Sequence, residues 1–282
     1  MPRTYTQKKT PSASEPAWGP ELLIALALCL PMSAQWLTYP TPGIPRTADG
    51  KPNLSAPAPR GVDGKPDLSG FWGWELNRGC PPEGCNDLDV GQEFVNLGWS
   101  LKGGLPYQPW AAELVKKTRA ANRPNDPLTH CMPIGPIRLH TFAGYRKIVH
   151  VPGLLVILNE YNSGYRQIHT DGRALPVDPN PNWNGYSSGK WDGDTLVVET
   201  NGLRDGLWLD TGGSPLTDAA RITERFHRVN FGKLEVEITV NDPKAYTKPW
   251  TIKLNQPLVP DTEMLDYVCS ENEKDVGHLP GK

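Results

Sequence analysis

A base, an acid and a guanidinium sit close together in His169-Thr170-Asp171-Gly172-Arg173. At a strand end, where binding and catalytic residues concentrate, His169 is a candidate general base oriented by Asp171. Arg173 would hold an anionic or hydroxyl-rich group. The same segment also reads as an ordinary polar turn, since Asp-Gly is common turn chemistry. Two glutamates, Glu160 and Glu224, lie in stretches of alternating apolar residues. An ionised carboxylate on an apolar face must be paired or must shift its pKa upward. Paired acids in a concave β domain can do acid/base work on a sugar or ester. The structural alternative is a buried ion pair of Glu160 with Arg166, and a Glu224 that caps a core edge. Ten tryptophans against five phenylalanines is unusual usage. Trp183, Tyr186 and Trp191 offer flat faces that suit sugar rings and aromatic ligands, or else fill a core. The candidate set is therefore Glu160, Glu224 and His169 for catalysis, and Arg166, Arg173, Tyr186 and Trp191 for binding substrate.

Strand register must position these groups. Glycine (28) and proline (30) are abundant in the 282 residues, which argues against a helical bundle and for short strands joined by turns. Strands are expected near 145–151, 154–161, 165–170, 185–191, 194–200, 220–229, 233–240, 248–255 and 264–269. One helix is expected from Pro109 to about Asn122, with Trp110, Leu114 and Val115 as its apolar stripe. Three hairpins can be registered from their turns. Asp192-Gly193 sets Tyr186 opposite Glu199 and Ser188 opposite Val197. Asn162-Ser163-Gly164 sets Glu160 opposite Arg166 and Leu158 opposite Ile168. Asn230-Phe231-Gly232 sets Arg225 opposite Glu237 and His227 opposite Glu235. Alternation then turns Glu160, Arg166 and Glu224 toward apolar faces, and makes a charge-paired outer ladder of Arg225, His227, Glu235 and Glu237.

The N-terminus reads as an export signal over residues 1–34. Lys8 and Lys9 precede a short apolar run from Leu22 to Leu30, and Ser33-Ala34 supplies small residues for cleavage. The run is too short to span a bilayer. Export predicts a secreted or periplasmic location, where the even set of Cys80, Cys85, Cys131 and Cys269 would form disulfides. Three pairings are open; spacing suggests a stapled loop of Cys80 with Cys85, which leaves Cys131 with Cys269. Residues 35–70 form a proline-rich arm with an internal repeat. Pro45-Arg46-Thr47-Ala48-Asp49-Gly50-Lys51-Pro52 returns 14 residues later as Pro59-Arg60-Gly61-Val62-Asp63-Gly64-Lys65-Pro66. Apolar anchors at intervals (Trp36, Leu37, Tyr39, Leu54, Leu68) favour a strap lying across the domain over a free linker. Residues 71–282 form a single β domain.

The net charge of −2 removes the electrostatic case for nucleic-acid binding. No zinc-protease, calcium-loop, dinucleotide or P-loop pattern occurs, and no metal or cofactor is expected. The run from Trp36 to Arg46, the segment from Asp63 to Trp72, and Gly193-Asp194-Thr195-Leu196-Val197-Val198-Glu199-Thr200 resemble a large, uncharacterised family of exported bacterial proteins. That resemblance implies export and an intact domain and carries no activity. Leu68-Ser69-Gly70-Phe71-Trp72 followed by successive hairpins also resembles the lipocalin-like barrels. The expected fold is all-β, an antiparallel lipocalin-like barrel or related sandwich with one helix and the proline-rich arm. The leading functional expectation is a secreted hydrolase or lyase acting on a carbohydrate or aromatic glycoside-like substrate. The alternatives are a non-catalytic binding protein for a small amphiphile, and an assembly protein that self-associates through its arm. The expected partner is thus a small-molecule or glycan ligand, with no nucleic acid and no stable membrane span.

Overall fold

The computed structural model describes residues 39–75, 97–121, 125–142, 144–269 and 271. Eleven strands run in chain order: β1 (Gly70–Trp72), β2 (Arg146–Val151), β3 (Leu154–Asn159), β4 (Tyr165–His169), β5 (Tyr186–Asp192), β6 (Thr195–Asn201), β7 (Leu207–Trp208), β8 (Pro215–Leu216), β9 (Arg221–Asn230), β10 (Lys233–Asn241) and β11 (Trp250–Pro257). Nine of them form one sheet in the order β1-β2-β3-β4-β5-β6-β9-β10-β11, and β7 pairs with β8 separately. The sheet curls until its two edges nearly meet. Trp72 bridges to Leu258, Gly73 N–H donates to the Pro257 carbonyl at 2.8 Å, and Val259 N–H donates to the Phe71 carbonyl at 2.8 Å. The all-β barrel expected from the spaced hairpins is what forms. One neighbouring pair is parallel: Ile168 and His169 of β4 face Ser187 and Ser188 of β5. Its crossover is the long segment 170–185.

Alternation decides the core. On β9 and β10, Ile222, Phe226, Leu234, Val236, Ile238 and Val240 all point inward and are buried. They join Ile148, Leu155, Ile168, Leu196 and Val198 from the other strands, so side chains fill the barrel.

The hairpin registers divide cleanly. In β9–β10, Arg225 faces Glu237 and His227 faces Glu235 as expected, but through a two-residue Phe231-Gly232 turn, with Lys233 opposite Asn230, followed by a bulge that brings Leu234 opposite Arg228. In β5–β6, Ser188 faces Glu199 because the loop is Gly193-Asp194, with Gly193 at φ 60°. That is a shift of two from the expected register, which keeps every side chain on its face. In β3–β4, Ile157 and not Glu160 faces Arg166. The loop has four residues, Glu160 to Ser163, with Asn162 (φ 52°) and Ser163 (φ 48°) in the left-handed region in place of Gly164. An odd shift reverses faces, so Glu160 leaves the barrel interior while Arg166 stays inside.

The expected helix is α1 (Pro109–Ala120); it buries Ala111, Val115 and Thr118 and leaves Trp110 and Leu114 exposed. A second, short helix, α2 (Gly135–Thr141), lies where loop and strand are expected, with Pro136 in its first turn. No strand forms near 264–269; Tyr267 makes a single bridge to Tyr161.

The arm docks on its own barrel. Each repeat closes a small hairpin: Thr47 N–H donates to Lys51 O at 2.9 Å, and Gly61 N–H to Lys65 O at 2.8 Å. Gly50 (φ 81°) and Gly64 (φ 75°) make the turns. Arg46 binds the Gly50 carbonyl and Asp261, and Arg60 binds the Gly64 carbonyl and Asp194. Leu54 and Ala56 hydrogen-bond Gly232 and Phe231 through their carbonyls, each at 2.8 Å, and Leu68 is fully buried. Arg228, 3 % exposed, stacks on Trp72 and Phe231 and donates to the carbonyls of Asp67, Ser69 and Phe231.

Candidate functional site

The structure separates the candidate residues into an interior polar cluster and an outer groove. Glu224, on the inner face of β9, is 0 % exposed. It accepts from Arg166 Nη1 at 2.9 Å, from Arg166 Nη2, and from His140 Nε2 at 2.9 Å. Arg166 also donates to Ser187 Oγ and Thr200 Oγ1, at 3.1 and 3.0 Å. Gln256 Nε2 lies 3.0 Å from His140 Nδ1, which fixes the histidine with its Nε2 proton toward Glu224. Burial alone would raise the Glu224 pKa; the charge and hydrogen bonds of Arg166, with those of His140, outweigh it and hold the carboxyl at about 2. Burial pushes His140 below its ordinary value despite the opposing pull of Glu224, so the imidazole is neutral at pH 7. Glu224 itself is fully buried, and its side-chain bonds are all to other members of the cluster. Such an arrangement orders the barrel interior and leaves Glu224 no access to a substrate.

His140 comes from α2, the helix that sequence reasoning missed. The signal was there: Gly135-Pro136 places a proline in the first helical turn. A second overlooked signal is Gly185-Tyr186-Ser187-Ser188-Gly189, which spells the Gly-x-Ser-x-Gly pattern of hydrolase nucleophiles. That pattern needs a sharp strand-to-helix turn with an exposed hydroxyl. Here it enters strand β5, and Ser187 is buried with its hydroxyl bonded to Arg166 and Thr200.

The groove lies between β4 and the crossover 170–185. It is a cavity of about 860 Å³, and its lining includes His169, Arg166, Arg173 and Tyr186 from the candidate set, with Tyr165, Gln167, Trp183 and Asn184. Tyr165 (60 %) and Tyr186 (38 %) expose their rings. The crossover is pinned at several points. Ser188 Oγ donates to Arg173 O at 2.5 Å, Asn201 Nδ2 to Pro176 O at 2.8 Å, and Asn184 Nδ2 to Tyr165 O at 2.9 Å. Arg173 grips Asp171 through Nε at 3.0 Å and Nη2 at 2.6 Å, which lowers the Asp171 carboxyl to about 2. Arg204 stacks 4.3 Å above the Trp183 ring and fixes its plane.

Two of these candidates, and the cysteines, lie elsewhere. Glu160 accepts the backbone N–H groups of Tyr145 at 3.2 Å and Leu265 at 3.0 Å, and so ties the C-terminal segment to β2 and β3. Trp191 packs on the core with its ring 5.8 Å from His150. Cys131 and Cys269 form a disulfide across 138 residues. Asn162 bonds to both half-cystines, donating to Cys131 O and accepting from Cys269 N–H. Cys80 and Cys85 lie outside the described residues.

Among the described residues, no group of three or more His, Cys, Asp or Glu side chains could hold a metal ion, and no helix is long and apolar enough to cross a membrane. The disulfide is compatible with an extracellular or periplasmic location. No family model, curated protein or solved structure matches the chain, so the class is defined by the fold and the groove alone.

Proposed function

We propose that this is an exported binding protein that holds a small carbohydrate or aromatic ligand in the groove between β4 and the 170–185 crossover. The observation that carries the reading is the cavity of about 860 Å³, with Tyr165, Tyr186 and Trp183 as stacking faces and His169 and Gln167 as polar anchors. Its size falls in the range of small-molecule sites, and aromatic planes beside amides suit a sugar or an aromatic ring. The ligand sits outside the barrel wall, since side chains fill the interior. Export is supported by the basic-apolar-small pattern of residues 1–34 and by the disulfide.

A hydrolase or lyase reading is favoured by one observation: His169, an imidazole two residues from the Asp171–Arg173 pair, lines the groove. In that version His169 is the proton-transfer group, and Glu160 and Glu224 act through structure. The test is a glycan and aromatic-glycoside array followed by calorimetry on the mature protein. Tyr186→Ala should weaken binding of any hit at least tenfold, with an unchanged unfolding midpoint. Equal affinity in Tyr165→Ala and Tyr186→Ala would remove the groove from the proposal. Turnover that disappears in His169→Gln with binding retained would select the enzymatic version.

A further inference from the structure

Arg146 is the anomaly of the barrel interior. It is 1 % exposed, and among the described residues no carboxylate lies within ion-pair distance of it. Its Nη1 donates to His140 O at 3.1 Å and its Nη2 to Gly144 O at 3.2 Å, while Nε has no partner. Arg228, the other buried arginine without a carboxylate bond, has four carbonyls, two of them at 2.6 Å. Burial lowers Arg146 only to about 10, so it stays cationic at neutral pH.

The cross-strand partner of Arg146 is Asn159, 3 % exposed, whose Nδ2 is also unpartnered. Both residues line one small cavity of about 10 Å³, together with Arg166 and His140. That volume is about the size needed for a single small sphere. The two free groups are donors. Arg166 is neutralised by Glu224, Arg138 by Asp126, and His140 is uncharged, so this end of the interior carries one uncompensated positive charge.

We propose that this cavity binds one monatomic anion, of the halide class, held by Arg146 and Asn159. A water molecule would satisfy both donors but leave the charge standing; a halide does both. The ion would sit where α2 meets β2, because Arg146 also holds the His140 and Gly144 carbonyls. The proposal is independent of the groove and its ligand.

The mature protein, exchanged into sodium gluconate, is unfolded thermally while chloride replaces gluconate at constant ionic strength. The midpoint should rise and saturate with chloride, and a bromide-soaked crystal should give an anomalous peak within reach of Arg146 and Asn159. Asn159→Leu should shift the half-saturating chloride concentration at least tenfold upward. A midpoint indifferent to chloride, or a bromide-free cavity holding water alone, overturns the proposal. So does an identical chloride response in native protein and Asn159→Leu. If Asn159→Leu fails to fold, the titration and the anomalous map on native protein decide the matter alone.

Discussion

Replacing Glu224 by glutamine would strand the Arg166 guanidinium inside the barrel. Arg166 is 3 % exposed, and apart from Glu224 its partners are two hydroxyls. Removing one member of a buried pair costs about 3–5 kcal/mol, because the other charge is left uncompensated. The proton equilibrium gives an independent figure. Glu224 is held at about 2 against an ordinary 4.5, which corresponds to about 3 kcal/mol of stability at neutral pH. In a domain of this size such a loss lowers the unfolding midpoint by roughly 6 to 20 °C. Urea denaturation at pH 7 measures it directly. The double replacement Arg166→Met with Glu224→Met should recover at least half of the loss, since it removes the buried charge along with its partner. A single-variant loss below about 1 kcal/mol, or a double variant no more stable than the single one, would refute the reasoning. Ligand affinity in the groove should be unchanged in Glu224→Gln, since Glu224 is fully buried and lines no part of the groove.

Acid should weaken the fold through the same residue. Because the folded-state pKa of Glu224 lies below its unfolded value, its contribution is complete above about pH 4.5 and disappears as the pH falls toward 2; Asp67, held at about 2 chiefly by the His150 ring 3.7 Å away, acts in the same window, and stability measured from pH 6 down to 2 should fall steeply only below 4.5. Removing the disulfide with Cys131→Ala and Cys269→Ala releases a closure across 138 residues, for which chain entropy alone predicts a loss of up to about 5 kcal/mol, readable by denaturation. Gly232→Ala would drive a Cβ to 2.5 Å from Leu54 Cβ and 2.9 Å from its carbonyl oxygen, so hydrogen exchange at Phe231 and Gly232 should accelerate while β11 stays protected.

Turn chemistry explains which parts of the fold and site could be read in advance. The β9–β10 pairing, and with it the inward course of Glu224, matches expectation although the turn differs: Phe231-Gly232 form a two-residue loop, Gly232 is not left-handed, and a bulge sets the register. The Asn162-Ser163-Gly164 reading failed because glycine was given the left-handed position that Asn162 and Ser163 in fact occupy. That one choice moved Glu160 from the barrel interior to a clasp on the C-terminal segment. The partner that Glu224 keeps, Arg166, was placed on the right face but across from the wrong glutamate. His140 could not be assigned from periodicity, because α2 has seven residues and about two turns of pattern are too little to separate helix from loop. The groove was half legible. His169, Arg173 and Tyr186 were named from their types, but a parallel pairing of β4 with β5 is a non-local event that no turn signal records.

The doubled segment of the arm has a further meaning for how this chain tolerates change. Both copies are self-contained hairpins, and both carry near their start an arginine clasping an aspartate, Asp261 for one and Asp194 for the other. Excising one whole 14-residue period, residues 45–58, would leave Arg60 at Asp194 and the covalent run into β1 undisturbed. A deletion that cuts into 46–52 or 60–66 would break a hairpin in two. Length variation in this arm should therefore come in whole modules, with each extra module adding one arginine clasp and needing one more acidic side chain on the barrel to receive it.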